Sequence, residues 1–311
     1  MATSRNHRIE RRSYRVAEHV FSMEADSEQF AQLTNYEPFR IWDKPTDELF
    51  CLTVGSLPVE DSPRQHVFTD SSDDDMPRIE VYRIPSGDTL YWLLCISQVK
   101  NSPICARIMA RSDFRHAWVQ IDTEQTAFAI NNAAMLVYAF ATAHLRTLEM
   151  HAAVVVRNDQ RGYLFLGKSG TGKSTHARQW MAAFEDAWLL NDDNPILRYF
   201  ETDGKGKVVV YGSPWSGKTP CYKNLSAEVG GIVKLSQAPH NEARRLKMPE
   251  AYAYILSSAS GLKIEPNMMD ALYDTISHII QAVPHFALEC LPDTDAARCC
   301  YQAIAASANT H

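Results

Sequence analysis

The sequence predicts a mixed α/β protein in two parts: a β-rich N-terminal region, then a domain in which strands and helices alternate around a phosphate-binding loop. Three observations predict it. Residues 1–120 carry short alternating apolar runs separated by turn signals. Residues 126–148 change to helical spacing. Beyond them, two short apolar runs lead straight into a glycine-rich segment with a helical run behind it.

Composition narrows the class. The 311 residues are 45% hydrophobic and 22% charged, which excludes a low-complexity or wholly disordered chain and suggests two domains. With 31 Lys+Arg against 37 Asp+Glu the net charge is -6, so no nucleic-acid partner is expected. The longest mostly apolar stretch, Ala133–Leu145, is too short to span a bilayer, and no membrane partner is expected. The start has basic residues without an apolar stretch behind them, so no secretory signal is expected. The seven cysteines show no metal-ligand spacing and read as buried, reduced thiols. A cytoplasmic protein is the expectation.

Taken in order, the basic tail Arg5, Arg8, Arg11, Arg12 and Arg15 reads as hydrated, with an acidic partner as the other reading. Asp70–Pro77 is an acidic loop. Ile79–Ile84 alternates, Pro85–Asp88 turns, and Thr89–Ile96 runs apolar: a hairpin. A second pair is expected at Ile104–Met109 and Ala117–Ile121, around Ser112 and Asp113. Thr126–Leu148 follows as a helix. The boundary is expected there, with domains at 1–147 and 148–311. Strands are expected at His151–Val156 and Tyr163–Leu166, and a helix at Thr175–Phe184. Toward the C-terminus, helix Met268–Ala282, strand Phe286–Leu291 and helix Thr294–Ala306 read as scaffold.

The chemistry begins at Gly167–Ser174, which matches G-x-x-x-x-G-K-[ST] in full. Gly167, Gly170 and Gly172 allow the backbone to turn so that consecutive N–H groups converge on phosphate oxygens. Lys168, Ser169 and Thr171 complete that cradle, and Lys173 adds a charge at the β/γ-phosphates. Ser174 offers a hydroxyl to Mg²⁺, and the helix starting near Thr175 aims its positive end at the anion. The segment predicts binding of a nucleoside phosphate, ATP with Mg²⁺.

The next strand, Trp188–Leu190, runs into Asn191, Asp192, Asp193, Asn194 and Pro195. Two adjacent carboxylates at a strand end can divide roles, one on the metal and one at an acceptor hydroxyl. An Asx-rich turn is the competing reading.

A strand bearing His151, a loop of this type and an Asp-Asp pair, in that order and close together, resembles the HPr kinase/phosphorylase and phosphoenolpyruvate carboxykinase superfamily over residues 148–235. The resemblance implies a phosphoenolpyruvate carboxykinase-like kinase domain. It makes Asp192 the general base, puts Asp193 with Ser174 on the metal side, and matches His151 to the histidine on the strand before the loop. For His151 a structural role stands beside the catalytic one.

After the expected strand Lys207–Tyr211 comes a second glycine loop, Gly212–Thr219. Lys218 is placed to reach a transferred phosphoryl group, Ser216 or Thr219 to add hydrogen bonds, and Trp215 to wall the site. A tight turn with Trp215 in the core is the other reading. The segment also resembles a GxPWxGK-like stretch of HPr-kinase-related proteins. Arg244 and Arg245 read either as a clamp for a phosphate or acidic substrate, or as part of a surface helix.

The chain departs from the family in three ways. It lacks a recognisable signature for engaging HPr, its first 120 residues match nothing in that family's N-terminal domain, and the carboxykinase Lys, His and Arg positions are missing. The expected activity is therefore an ATP- and Mg²⁺-dependent phosphotransferase acting on a hydroxyl, either serine in a protein or a small molecule. An ATP-binding regulatory module without transfer, and a carboxykinase-like enzyme, are the alternatives. A homo-oligomer is compatible with the sequence.

Overall fold

A computed structural model describes residues 8–59, 62–70, 77–99, 102–217 and 219–308. The protein is mixed α/β with two large mixed sheets, and its contacts divide it into two units, Met1–Ala141 and Thr142–His311.

The first unit contains β1 (Ile9–Val16), β2 (His19–Asp26), α1 (Ser27–Ala31), β3 (Arg40–Ile41), β4 (Glu48–Val54), β5 (Gln65–Asp70), β6 (Arg78–Ser86), β7 (Thr89–Ser97), β8 (Ile104–Arg111), β9 (His116–Ile121) and α2 (Thr126–Thr142). Its nine strands form one sheet in the order β3-β1-β2-β4-β9-β8-β7-β6-β5. The pairs β2–β4 and β4–β9 are parallel. The hairpin read from the alternating runs is β6–β7, whose turn holds Gly87 at φ +57°, where a side chain is disfavoured. The second expected pair is β8–β9.

Helix α2 is shorter than its apolar spacing suggested. It ends at Thr142, a 3-10 turn follows over Ala143–Leu145, and Arg146 at φ +52° turns the chain into a strand. By length and hydropathy alone, Thr126–Leu145 would qualify as a membrane span. Its apolarity has a local explanation, because Ile130, Ala133, Val137, Tyr138 and Phe140 are buried. Tyr138 also donates its hydroxyl hydrogen to the Val16 carbonyl at 3.0 Å, and Phe140 lies 5.4 Å from Phe114.

The second unit contains β10 (Thr147–Glu149), β11 (Ala152–Val156), β12 (Arg161–Leu166), α3 (Lys173–Ala183), β13 (Trp188–Asp193), β14 (Ile196–Thr202), β15 (Lys205–Tyr211), β16 (Ser226–Gln237), β17 (Glu242–Arg245), α4 (Met248–Ser258), α5 (Pro266–Ala282), β18 (His285–Cys290) and α6 (Thr294–Ala308). The strand order is β10-β14-β15-β16-β12-β11-β13, with β18 on β16 and β17 on β18. The sheet returns on itself. Only Met150 and His151 separate β10 from β11, and only Asn194 and Pro195 separate β13 from β14. The Met150 N–H donates to the Pro195 carbonyl at 3.0 Å, so these four strands form one long antiparallel ribbon with a kink in its middle.

Strands β12, β16 and β18 are mutually parallel, and their C-terminal ends lie together. On one face, Phe165, Val233 and Leu288 pack with Trp180 of α3 and Ile304 of α6. Helix α5 packs against β10, β14 and β15. It buries Met268, Leu272, Thr275, Ile276 and Ile279, a spacing that draws one stripe along a helix. Glu265 caps it by accepting from the Met268 N–H at 2.8 Å.

Two readings change. Strand β13 runs on through Asn191, Asp192 and Asp193 instead of stopping at Leu190, and the Asx turn is present as well, because Asn191 Oδ1 accepts from the Asp193 and Asn194 N–H groups at 3.1 and 2.9 Å. Arg244 and Arg245 lie on strand β17, paired antiparallel with β18, not on a helix.

Candidate functional site

The glycine-rich loop joins β12 to α3 at the C-terminal ends of the parallel strands, where open α/β sheets place their ligand crevices. Gly170 and Gly172 stand at φ +77° and +107°, and a Cβ on either would meet open space. Their backbone is therefore glycine-specific by conformation rather than by crowding. Gly172 caps α3 without a side-chain acceptor, so no cap side chain receives the first-turn amides of Ser174 and Thr175. Thr171 donates its N–H back to the Lys168 carbonyl at 3.1 Å. Gln237, at the end of β16, braces the loop through the Gly170 and Thr171 carbonyls at 3.3 and 3.4 Å.

Lys173 folds back into this loop. Its ammonium has three donors and three acceptors nearby: His151 Nε2 at 2.8 Å, the Gly167 carbonyl at 2.9 Å and the Lys168 carbonyl at 3.4 Å. Burial lowers the Lys173 pKa, and the charges of Asp193 and Asp192 oppose the shift. An ammonium can only donate, so His151 Nε2 is the acceptor and the imidazole carries its hydrogen on Nδ1. That Nδ1 lies 3.0 Å from Asp193 Oδ1. The result is a continuous chain, Lys173 to His151 to Asp193, from the glycine loop to the carboxylate pair.

The kinked ribbon explains how these groups meet. His151 sits in the two-residue gap between β10 and β11, and Asp193 ends β13 on the opposite strand, paired with Ala152. A bulge opposite Val154 and Val155 inserts Leu190 into β13 and re-aims the residues after it. Asp192 is 4% exposed, whereas the Asp193 and His151 side chains are each about a third exposed.

The second glycine loop lies directly on the carboxylate pair. Ser216 bridges to Asp193, and Gly217 donates its N–H to the Asp192 carbonyl at 2.7 Å. Trp215 is buried, as the tight-turn reading has it. Ser216 spends its hydroxyl on the Thr219 carbonyl at 2.7 Å. Lys218 lies outside the described residues. Arg244 is not brought to the loop: β17 stands three strands from β12, about 14 Å at ordinary strand spacing. Arg244 pairs instead with Glu250 at 2.7 Å.

Sequence reasoning missed three residues here. Asn191 and Ser213 are fully buried and bonded to each other at 3.2 Å, beside the Asp pair. The Asx-turn reading covers the Asn191 Oδ1 bonds but not the Nδ2 bonds to Ser213 and Trp215. Glu149, two residues before His151, is buried with neither carboxylate oxygen hydrogen-bonded. Burial pushes its pKa up to about 8. Nearby Ser260 counters the shift, the charge of Asp193 adds to it, and Lys263 opposes it. The one available signal was an acidic residue inside the apolar run that precedes His151.

Among the described residues, no group of three or more His, Cys, Asp or Glu side chains is placed to hold a metal ion alone. A hard cation here would draw its remaining ligands from a bound phosphate chain, the usual arrangement for Mg²⁺. No family model matches the chain, and no curated protein matches it.

Proposed function

We propose that the second unit is a phosphoenolpyruvate carboxykinase-like kinase domain of the HPr-kinase type. In this reading it transfers the γ-phosphoryl group of ATP to a hydroxyl, on serine in a protein or on a small molecule. The observation that carries the reading is the Lys173–His151–Asp193 chain, at 2.8 and 3.0 Å, which couples a glycine loop to an acidic pair. A purely structural loop has no need of that link.

In this mechanism the loop amides from Gly167 to Ser174 hold the phosphates, and Lys173 leaves its internal acceptors to neutralise the β/γ-oxygens. Ser174 and Asp193 are the residues that would hold Mg²⁺, which supplies charge neutralisation when bound. Asp192 takes the proton of the acceptor hydroxyl as its oxygen bonds to the γ-phosphorus, and the bond to the ADP leaving oxygen breaks. Released from Lys173, His151 keeps Asp193 oriented through Nδ1. Lys218 keeps its expected role on the moving phosphoryl group by its place in the sequence.

Incubation with Mg²⁺ and γ-labelled ATP, with a lysate of the source or with free serine, tests the reading. Asp192→Asn is expected to lower transfer by about 10²- to 10⁴-fold while ADP affinity holds. Tight nucleotide binding with no label transferred under any condition would instead identify an ATP-binding regulatory module.

A further inference from the structure

Asn191 has every hydrogen-bonding valence filled by two segments far apart in sequence. Its Nδ2 donates to Ser213 Oγ and to the Trp215 carbonyl, both at 3.2 Å. Its Oδ1 accepts from the Asp193 N–H at 3.1 Å and the Asn194 N–H at 2.9 Å. Two donors and two lone pairs are all that an amide side chain has. Ser213 completes the knot. Its hydroxyl accepts from the Trp215 N–H at 3.1 Å and donates to the Asn194 carbonyl at 2.6 Å.

We infer that Asn191 is a positioning residue, which locks the Asp192–Asp193 strand end and the second glycine loop into one unit so that the Asp193 carboxylate is presented to a metal–nucleotide complex. Oδ1 fixes the backbone of Asp193 itself, and Nδ2 fixes the loop whose Ser216 bridges to Asp193. Both sides of Asp193 are therefore set by one buried amide. Aspartate could not replace it, because a carboxylate oxygen would face the Trp215 carbonyl in place of a donor. The inference rests on the nucleotide-binding reading above and adds to it the residue that orients the metal-side carboxylate.

The test compares ADP affinity of the full chain in EDTA and in Mg²⁺, for wild type, Asn191→Ala and Ser213→Ala, with a thermal melt of each. Wild type is expected to bind ADP more tightly with Mg²⁺. Asn191→Ala should keep its metal-free affinity and lose about tenfold of the Mg²⁺-dependent tightening, the cost of removing a group that orients a metal ligand. Ser213→Ala, which leaves the Oδ1 bonds in place, should lose less in the same direction. A merely structural residue would weaken both affinities together or neither. If Asn191→Ala does not fold, Ser213→Ala decides alone, and full retention of the tightening in a folded variant overturns the role. A wild type that binds ADP without any response to Mg²⁺ would remove the kinase reading and this role together.

Discussion

The two glycine loops look alike in sequence and differ in what their glycines do. In the first, Gly170 and Gly172 adopt left-handed backbone conformations, and a Cβ there would touch nothing. In the second, neither Gly212 nor Gly217 has a positive φ, but a Cβ would meet the chain itself. It would lie 2.1 Å from the Lys223 carbonyl oxygen at Gly212 and 2.9 Å from the Asp192 carbonyl oxygen at Gly217. At Gly170 and Gly172 glycine serves a left-handed backbone in open space, whereas at Gly212 and Gly217 it lets two backbones meet. The first loop leaves open space around Gly170 and Gly172; the second is a strut pressed against the carboxylate pair. A repeated glycine, serine and lysine pattern is thus no guide to shared chemistry unless the reason for each glycine is known.

The largest effect should come from filling the strut. Gly212→Ala sets a methyl group against backbone that cannot rotate away, and a loss of about 3 kcal/mol or more is expected in urea denaturation. A loss under about 1 kcal/mol would show that the loop shifts freely and is no strut.

Glu149 sharpens the contrast, since it is buried like the strut but lacks the strut's hydrogen bonds. Its carboxyl sits near 8 in the folded protein against an ordinary 4.5. The folded state therefore favours the protonated form. The stability this allows is fully present below pH 4.5 and is lost as pH rises through 8. Relative to wild type, Glu149→Gln should gain stability progressively between pH 5 and pH 8, by about 2–4 kcal/mol in all. Parallel melting curves for the two proteins across that range would place the carboxyl in contact with water.

The smallest stability change belongs to the cradle. Gly170→Ala meets no atoms, and its cost is the left-handed conformation alone, about 1–2 kcal/mol. Its main consequence should be weaker ADP binding. The two alanine substitutions thus exchange their phenotypes, one in denaturation and the other in ligand affinity.

What was legible in the sequence is what is local. The loop with its left-handed glycines is written in eight consecutive residues, the β6–β7 hairpin in an alternation interrupted by a glycine turn, and the Asp pair in its adjacency. The end of α2 was not legible, because apolar residues continue past Thr142, where the α-helix gives way to a 3-10 turn closed by the left-handed Arg146. Strand β17 was missed because Glu242–Arg245 is short and polar, and its strand character comes from pairing with β18. The role of Asn191 depends on Ser213 and Trp215, and a bulge at Leu190 decides which way the amide points. No spacing rule reaches across such a register. The burial of Glu149 was not legible for a related reason: it belongs to the ribbon and to Ser260, not to its neighbours in the chain.

Parallel strands cannot be joined by a tight turn, so β12 and β16 require a crossover. Here the crossover is residues 167–225, and it contains the cradle, Lys173, both aspartates, Asn191 and Ser213. Apart from His151, the groups of the site are therefore not ornaments hung on a finished scaffold. They make up the segment whose ordering brings β12 and β16 together, and its closure entropy is recovered only when that segment is folded. Damage there should be felt as lost cooperativity of the whole sheet, and a ligand that orders the crossover tightens the fold around it.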